Sequence, residues 1–175
     1  YMLSSAVETI KIRNNIKHDE NQYLNLIDDI IKKGELVDGR NGNTLAVFGS
    51  AMHFSLTNGE LPLLTTKKVA WKTCLKELLW FISGKTDNKI LKEQNVKIWN
   101  DNSSREYLDS IGLLDRKEDD LGPVYGHQWR FFNADYKDCN TCYKDTGIDQ
   151  LRYIVNCLKD PKERYSRRLI MSAWN

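Results

Sequence analysis

The sequence predicts an α+β fold, in which helices and strands pack around a common core. Apolar side chains recur at helical spacing in three segments, residues 20–34, 70–83 and 148–158. Two other segments, residues 45–56 and 168–174, are apolar runs that are typical of extended strands. We find no internal repeat and no low-complexity segment, so a repetitive architecture is not indicated.

Length and composition restrict the class of protein. At 175 residues the chain is long enough to bury the core of one domain. Its net charge of +2 makes no case for a nucleic-acid partner. No apolar run approaches the roughly 20 residues that span a bilayer, and the start of the chain does not resemble a signal peptide. We therefore expect no membrane partner, a cytoplasmic location with the nucleus as the alternative, and cysteines in the thiol form.

The chain is predicted to begin with an arm and a helix. Residues 1–19 are polar and weakly patterned, which predicts an N-terminal arm or linker before a domain formed by residues 20–175. The first residue is Tyr1 rather than Met, so we expect the chain to be part of a longer protein. The helical pattern sharpens from Glu20, and Gly34 is predicted to end this first helix.

A turn and an extended segment follow the first helix. The turn is predicted at residues 38–44, which are rich in Gly and Asn. Residues 45–56 are predicted to form a strand or a hairpin-like extended run, in which Gly49 marks a bulge or a close approach.

A central helix is predicted over residues 70–83. A hydroxyl of Thr65 or Thr66 can accept from its free N–H groups, and Gly84 can adopt the left-handed conformation that closes its end. At about 100° per residue, Glu77 falls beside the apolar face and away from the lysine stripe. Since an uncompensated buried charge is costly, this carboxylate must be hydrogen-bonded, paired, protonated or hydrated, which makes it a candidate for a functional site. The alternative is a residue at the rim with its carboxylate in water.

Short elements are predicted after the central helix. Thr86 can cap a helix that runs to Leu91, and a strand is predicted to end at residues 96–99. Ser103 or Ser104 can cap the next helix.

The final third of the chain combines a loop, a helix and a strand. Residues 120–132 contain Gly and Pro before aromatic residues, which predicts a compact loop suited to lining a pocket. A helix is predicted at residues 148–158, and a buried strand at residues 168–174. A strand this apolar needs neighbours on both sides, so the chain is predicted to stop within a sheet.

Arginines at two places are candidates for binding a phosphate. Arg167 and Arg168 precede the last predicted strand, and Arg40 lies in the Gly- and Asn-rich turn. A guanidinium group binds phosphate through two parallel hydrogen bonds, which favours arginine over lysine for this purpose. For all three residues the alternative is a solvated surface charge.

Aromatic and amide side chains cluster in the predicted loops. Flat apolar faces and hydrogen-bonding tips come from Trp99, Asn102, Tyr125, Gln128 and Trp129. This combination is typical of a small-molecule pocket, and equally of the aromatic edge of a core.

The cysteines and histidines do not predict a metal site. Cys139 and Cys142 form a single C-x-x-C in a turn-like stretch, without the two further ligands that zinc requires. Cys74 and Cys157 are isolated residues on predicted helices. No metal is therefore expected.

Long runs of this sequence are similar to the thymidylate synthase family. The matching runs, in the family's order, are PLLTTKKVAWK (62–72), ELLWFISGKT (77–86), VKIWNDNSSREYLDS (96–110), DLGPVYGHQWRFFNADY (120–136), GIDQL (147–151) and RRLIMSAWN (167–175). The resemblance implies a large mixed β-sheet with helices packed on one face, incomplete in this chain. It also implies that residues 20–175 are the N-terminal part of a catalytic domain, and the arm suits the synthase part of a dihydrofolate reductase–thymidylate synthase fusion.

The resemblance implies the reductive methylation of dUMP to dTMP. The family uses 5,10-methylenetetrahydrofolate as one-carbon donor and reductant, and releases dihydrofolate. It also works as an obligate homodimer, so dUMP, folate and a second copy are the expected partners.

The resemblance also implies roles for individual residues. Catalytic roles are implied for Glu77, Tyr125 and Asn102, the first of which matches the family's glutamate that orders water near O4 of the uracil. Folate contacts are implied for Lys67, Ala70, Ile98, Trp99 and Asn102. The phosphate of dUMP is expected to meet Arg40, together with Arg167 and Arg168 from the other subunit.

The sequence departs from the family in several places. The loop of Arg40 is one residue shorter than usual, Ala70 replaces a larger side chain, and the loop at 160–166 is longer. None of the four cysteines matches the family's nucleophile, which lies downstream of the AWN sequence. We therefore expect this chain alone to be inactive and poorly stable.

Two other functions remain open at this level. A deoxycytidylate hydroxymethylase of the same fold would add water instead of hydride. A non-catalytic remnant would bind nucleotide or RNA.

Overall fold

A computed structural model describes residues 18–39 and 42–174, apart from the side chain of Asn58. The chain divides into two compact units, Tyr1–Val69 and Ala70–Asn175. Most of the predicted arm and Arg40 lie outside the described residues. In the described ranges, no helix has the length and apolar character needed to cross a bilayer.

The first unit contains one long helix and a small sheet. Helix α1 (Asn21–Lys33) confirms the first predicted helix, and the N–H of Gly34 donates to the carbonyl of Ile30 over 2.8 Å at its end. Strands β1 (Glu35–Val37) and β2 (Thr44–Ala46) pair antiparallel, with Leu36 opposite Leu45. Helices together with a small sheet agree with the predicted α+β class.

The extended segment at 45–56 is a strand only at its start. Beyond Ala46 the prediction of a strand is wrong, because none of the described residues pairs with the backbone there as a strand. The side chain of Gln22 instead makes two hydrogen bonds to the backbone of His53, its Nε2 donating to the carbonyl over 2.6 Å and its Oε1 accepting from the N–H over 2.8 Å. The predicted close approach at Gly49 is not found, since among the described residues no atom beyond its two chain neighbours lies within 4 Å of the position that a Cβ would take. No strand pairing at Gly49 defines a bulge in that part of the chain either.

The described residues of the second unit form five α-helices. These are α2 (Trp71–Ile82), α3 (Lys89–Glu93), α4 (Arg105–Ser110), α5 (Tyr125–Phe131) and α6 (Gln150–Lys159). Helix α2 packs against both α3 and α5, and α5 packs against α6. Helices α2 and α6 confirm the two helices predicted from apolar periodicity.

The core of the second unit lies between the end of α2 and the segment formed by α3 and the residues that follow α3. Trp80, Phe81, Leu91 and Val96 are buried together. Gly126 of α5 allows close approach to α2, because a Cβ there would lie 2.9 Å from the carbonyl oxygen of Phe81. The two helices are therefore in backbone contact on this side.

The predicted helix caps are partly right. Ser104 caps α4 by accepting from the N–H of Tyr107 over 3.2 Å, and Gly84 adopts the left-handed conformation with φ of +68° after α2. Thr65 and Thr66 do not cap α2, because both bond to Glu20 instead.

Thr86 does not cap a helix, so this predicted cap is also wrong. Its hydroxyl lies 2.9 Å from that of Tyr136, and α3 begins after Asn88 without a side-chain cap.

Three further predictions in the second unit are wrong. Residues 96–99 form no strand end: residues 96 and 97 are irregular, a turn begins at Ile98, and Asn95 before them takes a left-handed φ of +59°. Residues 120–132 are not only loop, since they contain α5, which is stabilised by packing between two other helices. Residues 168–174 contain no strand.

The segment at 168–174 is held by a side chain in place of a neighbouring strand. Gln150, the first residue of α6, donates from Nε2 to the carbonyl of Ser172 over 2.7 Å. Its Oε1 accepts from the N–H of Ser172 over 3.0 Å. An extended segment therefore satisfies part of its backbone without a sheet.

Candidate active site

A hydrogen bond joins the two central residues of the candidate site. Nε1 of Trp99 donates to Oε1 of Glu77 over 2.7 Å. Glu77 is half-buried on α2, and among the described residues its Oε2 accepts no hydrogen bond. Of the alternatives for this acid, the structure contains the hydrogen-bonded one, with one oxygen left for a ligand or water.

The ring of Trp99, which makes this hydrogen bond, belongs to a group of aromatic rings. Phe81 is buried one turn after Glu77 and meets three rings edge-on, those of Trp99, Tyr125 and Trp129, at centroid distances of 6.3, 5.5 and 5.6 Å. The rings of Trp99 and Tyr125 are 6.0 Å apart. Such edge-to-face contacts fix ring orientation as well as burying apolar area. Three predicted site residues, Glu77, Trp99 and Tyr125, therefore lie together.

Tyr125 owes its position to a buried carboxylate. Asp120 accepts from the N–H of Gly122 over 2.8 Å and from the hydroxyl of Tyr136 over 2.5 Å. The N–H of Cys139 donates to the other oxygen of this carboxylate over 3.0 Å. Burial, together with the hydrogen bond to Asp120, raises the pKa of Tyr136, so its hydroxyl stays protonated and donates. This network holds the loop that leads into Tyr125.

A second buried network supports the Trp99 side. Nδ2 of Asn88 donates to the hydroxyl of Ser103 over 2.8 Å, and that hydroxyl donates to Asp119 over 3.2 Å. Lys92 pairs with the same carboxylate at 2.5 Å. The N–H of Ser103 donates to the carbonyl of Trp99 over 3.1 Å, which ties the network to the indole.

Sequence reasoning missed these supporting residues. Asp119 and Asp120 are adjacent acids directly before a Gly-Pro turn, and they are 7% and 2% exposed. Paired acids before a turn rarely indicate burial, because such residues are mostly solvated. The aromatic residues that follow were the available signal.

Asn102 and Ile98 flank Trp99 at the surface. The side-chain amide of Asn102 is half-buried and makes no hydrogen bond within the described residues. Ile98 is half-exposed. Ala70 lies exposed just before α2 begins. All three belong to the same unit as Glu77.

Among the described residues, the arginines predicted to bind phosphate make no hydrogen bond or ion pair with Glu77, Trp99 or Tyr125. Arg167 and Arg168 are exposed in a turn after Ser166, and neither guanidinium has a carboxylate at ion-pair distance among the described residues. Arg40 lies outside the described residues. Lys67 belongs to the first unit, where its Nζ lies 5.7 Å from the ring centroid of Tyr23.

Cysteines and histidines form no cluster with metal-ligand geometry. In the described part of the chain, no group of three or more His, Cys, Asp or Glu side chains is arranged to hold a metal ion. His127 is buried between aromatic rings, and burial lowers its pKa.

A half-buried carboxylate bonded to an indole, next to a group of aromatic side chains, combines a polar group with flat apolar faces, which is a combination common in enzyme sites. The model of the thymidylate synthase family matches residues 21–175. The chain belongs to the thymidylate synthase family.

Curated relatives are bifunctional proteins. The chain is 52% identical over 160 residues to the bifunctional dihydrofolate reductase-thymidylate synthase of Paramecium tetraurelia. The aligned region covers 91% of the chain and 34% of that protein. It is 50% identical to the protein of the same name from Zea mays, with coverage of 91% and 30%. For Leishmania major the identity is 49%, with coverage of 90% and 30%. The chain thus spans about a third of the length of these relatives.

Proposed function

We propose that the full-length protein containing this chain converts dUMP to dTMP, with 5,10-methylenetetrahydrofolate as co-substrate and dihydrofolate as product. The observation that carries the proposal is the Glu77 carboxylate, held by the indole N–H of Trp99 at 2.7 Å within a chain of this family. When bound, the folate supplies the one-carbon unit and the hydride. The residues of this chain position the substrates and move protons.

Glu77 and Tyr125 are assigned to the pyrimidine. Because Trp99 occupies one oxygen of Glu77, the carboxylate has a fixed orientation and its other oxygen is free to order a water at O4 of the uracil. The hydroxyl of Tyr125 makes no hydrogen bond within the described residues and can take part in proton removal. We also assign Asn102 to the site, since its half-buried amide makes no hydrogen bond within the described residues and keeps its donors and acceptor available.

The folate is assigned to the Trp99 side of the site. The indole of Trp99, with Ile98 exposed beside it and Ala70 on the same unit, offers flat apolar surface to a heterocyclic ring. The amide of Asn102 adds a polar contact at this wall. Lys67 is assigned to the anionic tail of the folate.

The phosphate of dUMP is assigned to arginines of two subunits. Arg167 and Arg168 have guanidinium groups that are free of carboxylate partners among the described residues, as an external phosphate requires. We assign them to the site of the other subunit of a homodimer, and Arg40 to the site of its own subunit. A symmetric dimer would then contain two shared sites.

The nucleophilic thiol is assigned to a residue outside these 175 positions. Burial, with nearby carboxylates, raises the pKa of Cys139 to about 11, which disfavours the thiolate that nucleophilic addition needs. Cys157 is buried on α6, and Cys74 and Cys142 are exposed without a neighbouring base in the described contacts.

Finer features of the family complete the proposal. Residues 20–175 would form the N-terminal part of a catalytic domain with a large mixed β-sheet and helices on one face. The names of the curated relatives support a fusion to dihydrofolate reductase. We place the protein in the cytoplasm, with the nucleus as the alternative.

The experiment is turnover by the full-length protein, followed as dTMP by mass spectrometry and as dihydrofolate by absorbance. Wild-type protein is expected to form both products, and Glu77→Gln to lower kcat about 100-fold because a positioned general acid-base group is lost. The control is Glu93→Gln, which changes an exposed acid at the end of α3 and is expected to leave kcat unchanged.

Other outcomes identify the competing functions. Formation of hydroxymethyl-dCMP from dCMP, without dTMP from dUMP, would replace the proposal with the hydroxymethylase. Nucleotide binding without either product would indicate a non-catalytic binding protein.

A further inference from the structure

A buried carboxylate in the first unit is bonded entirely to one dipeptide. Glu20 is 6% exposed and directly precedes α1. Its Oε1 accepts from the N–H groups of Thr65 and Thr66, over 2.7 and 2.9 Å, and from the hydroxyl of Thr66 over 2.7 Å. Its Oε2 accepts from the hydroxyl of Thr65 over 2.6 Å. Four donors from two consecutive residues fix both the backbone and the side chains of that dipeptide.

The hydrogen bonds keep this carboxylate ionised. The hydroxyl of Thr65, followed by the donors of Thr66, lowers the pKa of Glu20 to about 2. Nδ1 of His18 lies 4.0 Å from Oε2, and no lysine or arginine is within ion-pair distance of Glu20 among the described residues. The negative charge is therefore stabilised mainly by hydrogen bonds and not by a cation.

Lys67 follows this dipeptide directly. Its Nζ lies 5.7 Å from the ring centroid of Tyr23, a distance at which the ring face attracts a cation. Tyr23 lies one helical turn after Glu20, so both contacts come from the start of α1. No carboxylate lies within ion-pair distance of Lys67 in the described residues. The ammonium is exposed and held in place, and its charge is not neutralised by a neighbouring acid.

We propose that Glu20 and Tyr23 are positioning residues that hold the ammonium of Lys67 ready for the anionic tail of the folate co-substrate. The proposal rests on the assignment of Lys67 under the proposed function. A free lysine loses side-chain entropy when it binds an anion, and a backbone and ring that hold it in advance reduce that loss. Glu20 fixes the direction from which the side chain leaves the backbone, and Tyr23 fixes its end.

The primary test is a double-mutant cycle in the full-length protein. Glu20→Gln keeps the size of the side chain but removes the charge and one acceptor. It is expected to raise the KM for a polyglutamylated folate about fivefold, as loss of one positioned surface ion contact would, with kcat within about twofold. In a Lys67→Met background the same change is expected to leave this KM unaltered, because there is no ammonium left to position.

Two matched controls are available in the same unit. Glu60→Gln removes an exposed carboxylate that makes no hydrogen bond among the described residues. Lys68→Met removes the neighbouring lysine, which makes no contact with an aromatic ring or an acid there. Both variants are expected to keep the wild-type KM. For Tyr23→Leu we expect a rise in KM that also disappears in the Lys67→Met background.

The results that overturn the proposal are distinct from those that overturn the proposed function. An unchanged KM in Glu20→Gln, or an equal rise in both backgrounds, shows that Glu20 does not act through Lys67. An unchanged KM in Lys67→Met removes the folate assignment of that lysine, and the positioning role with it, while turnover of dUMP would still stand. Absence of turnover in the wild-type protein overturns both.

A second measurement applies if the activity of a variant is too low to interpret. Because the N–H groups of Thr65 and Thr66 donate to Glu20, their amide hydrogens are expected to exchange slowly with solvent in the wild-type protein. In Glu20→Gln, whose remaining oxygen accepts fewer hydrogen bonds, exchange is expected to be at least about tenfold faster. In Glu20→Asp, which retains the charge on a shorter side chain, the exchange rates are expected to lie between those of the wild-type and Glu20→Gln proteins. Equal exchange in wild-type and Glu20→Gln protein would overturn the proposal.

Discussion

Trp99 and Glu77 are separated by 22 positions in the chain and joined by a hydrogen bond of 2.7 Å from the indole to the carboxylate. The acid lies on α2 and the indole in the turn after α3, so two separate elements contribute to one contact. The indole gives the carboxylate a defined orientation and leaves its second oxygen open. This pair is the part of the candidate site that is most directly testable.

Trp99→Phe separates the role of the ring from the role of its N–H. The variant keeps an aromatic face but leaves Glu77 without its donor, so kcat is expected to fall about tenfold, the value of one hydrogen bond to a charged group. Turnover of dUMP by the full-length protein measures this. Trp71→Phe is the control, since Trp71 is 48% exposed on the same helix that carries Glu77. Equal kcat values for wild-type and Trp99→Phe protein would show that the hydrogen bond has no catalytic role.

Gly126→Ala is expected to destabilise the protein by about 1–3 kcal/mol, the usual cost of overpacking. The new Cβ would lie 2.9 Å from the carbonyl oxygen and 3.0 Å from the Cα of Phe81, and backbone atoms cannot move aside as a flexible side chain can. Denaturant unfolding of the full-length protein measures the loss. Gly112→Ala is a useful comparison, because it meets nothing within 4 Å and costs only the strain of a left-handed φ of +78°. A larger loss for Gly112→Ala would contradict the close approach of α2 and α5.

The ionised carboxylate of Glu20 is expected to stabilise the folded protein at neutral pH and to lose this effect in acid. Its pKa is lowered from 4.5 to about 2 in the folded protein, so the unfolded chain takes up the proton first as the pH falls. Its contribution to stability is fully present above about pH 4.5 and is lost between pH 4.5 and 2. The difference in unfolding free energy between wild-type and Glu20→Gln protein should therefore shrink over that range. A difference that stays constant from pH 6 to about pH 2.5 would exclude an ionised, hydrogen-bonded carboxylate.

His127 predicts a second pH effect, in a milder range. Burial lowers its pKa below the usual 6.5, because the ring lies among Phe131, Tyr136 and Tyr143 and not beside an acid. The unfolded chain therefore binds the proton more readily, and stability falls as the pH drops below 6.5. His127→Phe should remove this slope between about pH 7.5 and 5.5, whereas the exposed His53→Gln should keep it. Identical slopes in all three proteins would show that His127 titrates normally.

The two cysteines of the C-x-x-C are expected to differ in reactivity. Cys139 is half-buried with its pKa raised to about 11, while Cys142 is exposed. Alkylation by iodoacetamide at about pH 8, followed by mass spectrometry, should label Cys142 at least about tenfold faster, because the thiolate is the reactive form. Faster labelling of Cys139 would instead indicate an activated redox pair.

Helices were predictable from the sequence where the signal was local. Periodicity located α1, α2 and α6, and the Ser104 cap located α4. Helix α5 was missed because it spans only 7 residues after a Gly-Pro turn, and its stability comes from the helices on either side. Contacts between residues far apart in the chain also leave no local pattern in the sequence. Thr65 and Thr66 were therefore predicted as caps, although they bond to Glu20, which lies 45 and 46 positions before them.

The wrong strands share one cause. Gln22 and Gln150, each in the first turn of a helix, bond to both the N–H and the carbonyl of one residue in an apolar extended segment. An apolar run without turn signals predicts a strand, but no local pattern shows whether its backbone will meet another strand or a side-chain amide.

The proximity of three candidate residues was predictable from the sequence, and their support was not. Glu77 was indicated by its place on the helical wheel, and Trp99 and Tyr125 by aromatic residues in loops; the structure brings these three together. The catalytic and binding roles of all the predicted site residues stay predictions, and Arg40 lies outside the described residues. The buried acids Asp119 and Asp120 could not be found, since burial of an acid depends on partners from several elements.

The two bonds between Gln22 and His53 have a consequence for tolerated variation in length. They close a loop of 31 positions that contains β1, β2 and the connection between them. Closing such a loop becomes costlier only by about 0.6 kcal/mol for each doubling of its length. A change of one or two residues in that connection therefore costs little in closure free energy and leaves the threonine pair beyond His53 bonded to Glu20. The constraint on the length of the connection then comes from Arg40, which the proposed function assigns to the phosphate.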